Sequence, residues 1–291
     1  MNTRFAVLLL LFPVSAYALP IGSGGVTLEI PTPSGFVPVT ESGFTPHTRS
    51  LKQLQGLLDE LVPPANRELV SFIDHKDFLA LQRGRPPELE RRFSAQVAKK
   101  HAHAHVSRSD FQKLHSTITA QNQEMMDAID AELPGHMDRI SKGLTRQLDV
   151  ETALSISDTI MLPPHEISDR AVAWSMYVTY ATQFAGEGAG AYVATATMAI
   201  AELQGRLVFF YTFGGEDDLE WGRAFSRSWV DTALAHNPSN FATSIGRTAW
   251  GRALLFGLVF GLLGAAAGGI EALRQRRLQK RKDASPPNPQ A

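Results

Sequence analysis

The sequence predicts an α+β protein: an antiparallel β-sheet sandwiched by helices, followed by one C-terminal transmembrane helix. Three observations carry this prediction. Residues 171–213 alternate large and small side chains and then lose their polar face, as the strands of a meander do. Leucine and aromatic residues recur at helical spacing in separate stretches on either side of short strand patterns. Last, the uncharged segment 253–270 is followed by Arg274, Arg276, Arg277, Lys280, Arg281 and Lys282.

The chain opens with Arg4, an apolar run over residues 5–14, and Ala16-Tyr17-Ala18 with small residues at the positions signal peptidase reads. Residues 1–18 are therefore expected to be a signal peptide, with the mature chain starting at Leu19. The apolar run is too short to span a bilayer, and Pro20 with Gly22 to Gly25 breaks its continuation.

In the exported part, residues 26–30 read as a strand running into the turn-rich Pro31-Thr32-Pro33-Ser34-Gly35, and residues 36–39 resume it. Leu51, Leu54, Leu57, Leu58 and Leu61 then mark a helix that Pro63-Pro64 stops. Strands are expected at 68–73 and 93–98. The next helix opens at Ser107, with Asp110 three residues on in a capping-box arrangement, and Phe111, Leu114, Ile118, Met125 and Ile129 carry it to Pro134. Met137, Ile140, Leu144 and Leu148 give a second helical piece.

The C-terminal half reads as sheet. A strand over 171–184 pairs with one over 192–203 across Gly186-Glu187-Gly188-Ala189-Gly190, and Gln204-Gly205 turns tightly into residues 207–213. With almost no polar face, that last strand is expected to be central and covered on both sides. Glu216, Asp217 and Asp218 then suit a helix N-terminus, and Trp221, Phe225, Trp229 and Ala233 form the buried stripe of a helix that Asn237-Pro238 ends.

The expected organisation is a signal peptide (1–18), a periplasmic α+β domain (19–238), a short tether (239–252), a transmembrane helix (253–270) and a basic cytoplasmic tail (271–291). At about 1.5 Å per residue the apolar segment covers about 27 Å, close to a hydrocarbon core of about 30 Å. The cations after it hold that end in the cytoplasm, and Trp250 suits the opposite interface. Within the segment Gly257, Gly261, Ala265 and Gly269 make one small-residue stripe of the GxxxG kind, a seam for a second copy or another envelope protein. The expected location is a bacterial inner membrane, single-pass, with the ectodomain in the periplasm.

Composition narrows the function. The chain carries 28 Lys and Arg against 29 Asp and Glu, with no basic stripe, so nucleic acid is not an expected partner. Cysteine is absent, which removes disulfides, thiolate catalysis and cysteine zinc sites. His101, His103 and His105 alternate, so on a strand they would share one face; with His115 beyond, they form a candidate site for a divalent transition metal, and no cofactor is otherwise expected. Lys99 and Lys100 beside them argue instead for an exposed edge.

The acids Glu216, Asp217, Asp218 and Glu220 do not have calcium-loop spacing. The glycines at 186, 188 and 190 lie between strands, where no helix N-terminus would receive a phosphate. No GxSxG elbow, Walker loop, HExxH or kinase set is present. The reading favours a non-catalytic binding or assembly domain, with an envelope metal-binding protein or a hydrolase of unrecognised site as alternatives.

The opening "LEIPTPSGF" and the closing "GRLVFFYTFGGEDDLEWGRAFSRSWVDTAL", with the order of elements between them, resemble the α/β/α sandwich of PsbP-like domains. The opening together with Pro63-Pro64-Ala65-Asn66-Arg67-Glu68-Leu69 resembles a group of uncharacterised exported proteobacterial proteins. The resemblance implies binding or assembly at a membrane surface.

Overall fold

In the computed structural model, residues 17–39, 48–85, 87–120, 135, 137–143, 145–146, 152–184 and 190–240 are described. Residues 1–16 of the expected signal peptide, residues 185–189, the apolar segment 253–270 with its glycine stripe, and the basic tail lie outside them. Among the described residues no helix is long and apolar enough to cross a membrane.

An eight-stranded antiparallel sheet forms the centre, in the order β3-β4-β5-β10-β9-β8-β6, with β7 also paired to β8. These strands are β3 (Phe36–Pro38), β4 (Asn66–Asp74), β5 (Arg92–Ala98), β6 (Thr152–Met161), β7 (Glu166–Ile167), β8 (Ala171–Phe184), β9 (Gly190–Leu203) and β10 (Arg206–Gly215). Strand β10 sits in the middle, as its sequence requires: Leu207, Phe209, Tyr211 and Phe213 enter one core, while Val208 and Phe210 enter the other. The β9–β10 turn places Gln204 at φ 50° and Gly205 at φ 79°, the doubly left-handed geometry that suits the twist of a two-residue hairpin.

Helices α1 (Thr48–Leu61) and α3 (Arg108–Ala120), with the helical residues 137–143, close the first face through Leu54, Leu58, Leu61, Phe111, Leu114, Ile118, Met137 and Ile140. Ser107 caps α3 as expected, its Oγ accepting from the Asp110 amide at 3.1 Å and donating to the Asp110 carboxylate at 2.6 Å.

The second face carries α4 (Leu219–His236) and a separate hairpin, β1 (Ala18–Ser23) with β2 (Val26–Pro31). Trp229 anchors this layer. Its ring meets Phe210 edge-on at 4.7 Å and Phe93 at 5.1 Å, and its Nε1 donates to the Pro31 carbonyl at 2.7 Å. Trp229 and Ala233 are buried, whereas Trp221 and Phe225 lie nearer the rim and are only half-buried.

Besides the two-residue β7, three elements are not legible in the sequence. β1 was hidden by its signal-like flank and its glycines, yet Gly24 and Gly25 at φ 59° and 83° are what turn it onto β2. α2 (His75–Gln82) is short and is started by the Asp74 carboxylate accepting from the Lys76 amide at 2.8 Å. β6 has weak apolar alternation because it is an edge strand with a bulge between Ile156 and Asp158.

Candidate functional site

The most developed polar constellation lies on the first face of the sheet, where β4 and β5 run side by side. In β5, Phe93, Ala95 and Val97 enter the second core, so Arg92, Ser94 and Gln96 turn to the opposite face. Ser71 of β4 lies directly opposite Ser94, and Glu68 opposite Gln96, with a register shift between Glu68 and Val70 that re-aims the carboxylate. A directional chain results. Asn66 Nδ2 donates to Gln96 Oε1 at 3.1 Å, Gln96 Nε2 donates to Ser94 Oγ at 3.0 Å, and Ser94 Oγ donates to Glu68 Oε1 at 2.8 Å. Ser71 Oγ also donates to Glu68 Oε1.

The electrostatics follow from enclosure. Glu68 keeps partial exposure, but protein surrounds its carboxyl, and burial lifts its pKa above the usual range against the pull of the two serines and of Arg92. Asp59 on α1 adds a smaller push in the same direction. Burial brings the Arg92 guanidinium down to about 10, so it stays cationic at neutral pH; it lies over the Phe213 ring at 4.0 Å. Burial likewise raises the Tyr180 and Tyr211 phenols, which remain neutral. The cluster encloses a carboxyl whose ionisation burial opposes, beside a buried guanidinium. Both serines already donate to Glu68, and no histidine takes part in these bonds; the trio of nucleophile, base and orienting group that acyl transfer requires is not assembled here.

Two further buried carboxylates, Glu202 and Asp218, tie elements together. Glu202, fully buried, accepts from Arg170 Nε at 2.9 Å, the Gly205 amide at 2.6 Å and the Asn240 amide at 3.1 Å. Arg170 also donates to the carbonyls of Leu234 and Asn237 at the end of α4. Asp218 accepts from Arg91 and from the Gly215 amide. Desolvation opposes its ionisation, but these bonds and the Arg91 charge outweigh it and hold the carboxyl below its ordinary value.

The sequence-predicted candidates fall elsewhere. His101 ends a 3-10 turn (Lys99–His101), and His103 and His105 follow in turn and irregular backbone, so the strand alternation that would align three imidazoles is not formed. His115 lies on α3, and among the described residues no group of three His, Asp or Glu side chains is gathered to hold a metal ion. Burial, followed by the Lys100 charge, lowers the His101 pKa. Glu216, Asp217 and Asp218 form a 3-10 turn (Glu216–Asp218) before α4, with only Asp218 buried. Gly257, Gly261, Ala265 and Gly269 lie outside the described residues. The Glu68 chain was not read from the sequence. Its one signal in the sequence is the alternation of Arg92, Ser94 and Gln96 with apolar residues in β5; Glu68 and Ser71 are three positions apart and reach the same face through the register shift between Glu68 and Val70.

No family model and no curated protein matches the chain. Among solved structures, the solution structure of cyanobacterial PsbP (CyanoP) from Synechocystis sp. PCC 6803 is similar over 70% of this chain and 84% of that chain, at 12% identity and a TM-score of 0.27. A likeness at that level carries no argument, and the fold stands on its own geometry: α+β, with a large antiparallel sheet and helices packed against it.

Proposed function

We propose that this is an exported, membrane-tethered domain that binds or organises another component of the cell envelope and does not itself catalyse a reaction. The kinship with PsbP-like sandwiches and with exported proteobacterial proteins, the periplasmic location and the C-terminal anchor belong to the same proposal. Its sequence support is the pairing of a signal-like N-terminus with the apolar segment 253–270 and its cationic flank.

The observation that carries the binding role is the β6 edge. It is ten residues long, pairs with β8 alone among the described residues, and carries one charge, Asp158. Ile160 on it is 54% exposed. On this edge the Leu154 amide and carbonyl are bonded to Ser141 Oγ and the Thr159 amide to the Asp158 carboxylate, and the remaining backbone groups are what an added strand would pair with, using alternate side chains for selectivity. The opposite edge, β3, has only three residues.

Crosslinking of the full-length chain in its membrane, followed by mass spectrometry, tests this. A distinct envelope protein crosslinked to 152–161 in the wild type and reduced about tenfold by Ile160→Lys, the loss of one well-packed contact and its replacement by a charge, is the expected outcome. Gly257→Ile/Gly261→Ile separates recognition through the apolar segment from recognition through the edge. Crosslinks that avoid β6, or turnover of a substrate by the purified chain, overturn the reading.

A further inference from the structure

The described residues end at a defined place. Asn240 is held by Glu202 over the β9–β10 turn, and its carbonyl lies 2.5 Å from where a Cβ on Gly205 would stand. The His105 ring crowds the same position at 2.4 Å, and the Val106 amide donates to the Gly205 carbonyl at 3.0 Å. The loop of Lys99, Lys100, His101, His103 and His105 therefore flanks Asn240, the last described residue before the segment 253–270. Lys99, Lys100, His103 and His105 are all exposed.

Further cations lie beneath. Arg206 is 5% exposed, donates to the Gly24 carbonyl at 2.6 Å, and leaves Nε and Nη1 without a partner among the described residues. Arg67 spends its guanidinium on Gly22 O and Ser23 Oγ, again without a carboxylate among the described residues. Nearby Asp169 is matched by Arg108 and Glu202 by Arg170. That leaves Lys99, Lys100, Arg67 and Arg206 with no ion pair among the described residues. The connection 241–252 is twelve residues long. Even fully extended at about 3.5 Å per residue, it reaches only about 40 Å.

We infer that the loop 99–105 is the membrane-facing surface of the domain and rests on anionic phospholipid headgroups. The inference rests on the membrane-tethered reading proposed above. The apolar segment brings this end of the sheet to the bilayer, and the unneutralised cations orient it there. The far end of the sheet, at Ala153 opposite Gln183, lies about 40 Å away along β8 and is not in contact.

Since the chain has no native cysteine, single labels are straightforward. The full-length chain carrying His103→Cys or Ala153→Cys, each with a fluorophore, is reconstituted into nanodiscs of phosphatidylglycerol and phosphatidylcholine, or of phosphatidylcholine alone, with a headgroup-attached quencher. The expected result is quenching at 103 but not at 153, in the anionic discs only. Each lysine at an anionic surface strengthens contact about fivefold, so Lys99→Gln/Lys100→Gln shifts the contact equilibrium by about twenty-five-fold at low salt. Equal quenching at 103 and 153 in protein that co-floats with discs overturns the inference and leaves the tether standing. Quenching at 103 that ignores lipid charge and the lysines also overturns it. Failure of the full-length chain to co-float with discs overturns the inference and the tethered reading together.

Discussion

Glu68 shows how one residue can carry a pH dependence for the whole fold. Its folded-state pKa is raised, chiefly by burial, so between the ordinary value of 4.5 and the raised one the native state binds more protons than the unfolded state. Its contribution is therefore most favourable below 4.5 and is lost as pH rises through the raised value. Glu68→Gln keeps the shape and removes the charge. The stability of this variant relative to wild type is expected to improve from pH 4.5 to pH 8 in urea unfolding; a difference that is flat with pH would mean the carboxyl is solvated. Asp218 has the opposite sign: its lowered pKa means its contribution is present above 3.8 and fades as pH falls through the lower folded-state value.

Among the elements, the β1–β2 hairpin separates two demands that a glycine can meet. Gly24 and Gly25 both have positive φ, and either would be strained by a side chain, at about 1–2 kcal/mol. At Gly25 a Cβ would meet nothing within 4 Å, whereas at Gly24 it would stand 1.8 Å from the Ala102 carbonyl oxygen. Gly25→Ala is expected to cost about 1–2 kcal/mol and Gly24→Ala clearly more, because the hairpin must lift from the 99–105 loop. Equal midpoints in urea would show that the two do not pack as described. Local period read most elements well: β10, β8 and α4 announce themselves through residues 207–213, 171–184 and the Trp229 stripe, since burial on a strand or helix face imposes a repeat on the sequence. β6 and α2 lacked such a repeat, one because it is an edge and the other because it is too short to show one.

Over the whole molecule, Asn237 is the junction where helix and hairpin meet. Its side chain accepts from the Glu29 amide at 2.9 Å and donates to the Glu29 carbonyl at 2.7 Å and the Ala233 carbonyl at 2.8 Å. It is fully buried, so Asn237→Ala strands polar groups on two elements and is expected to cost about 2–4 kcal/mol in urea unfolding. Hydrogen exchange should rise together in β2 and the end of α4; a change confined to α4 would mean Asn237 is a helix cap alone. The sequence by itself determined the class of fold, the central place of β10 and the sheet-facing stripe of α4, because each follows from side chains a few positions apart. Only the tertiary structure decided that Glu68, Ser71 and Ser94 converge, that Asn237 is a tie between β2 and α4, and that the histidine loop borders Asn240. Those arrangements join residues distant in sequence, and their register is set by strand pairing and turn geometry that no local repeat records.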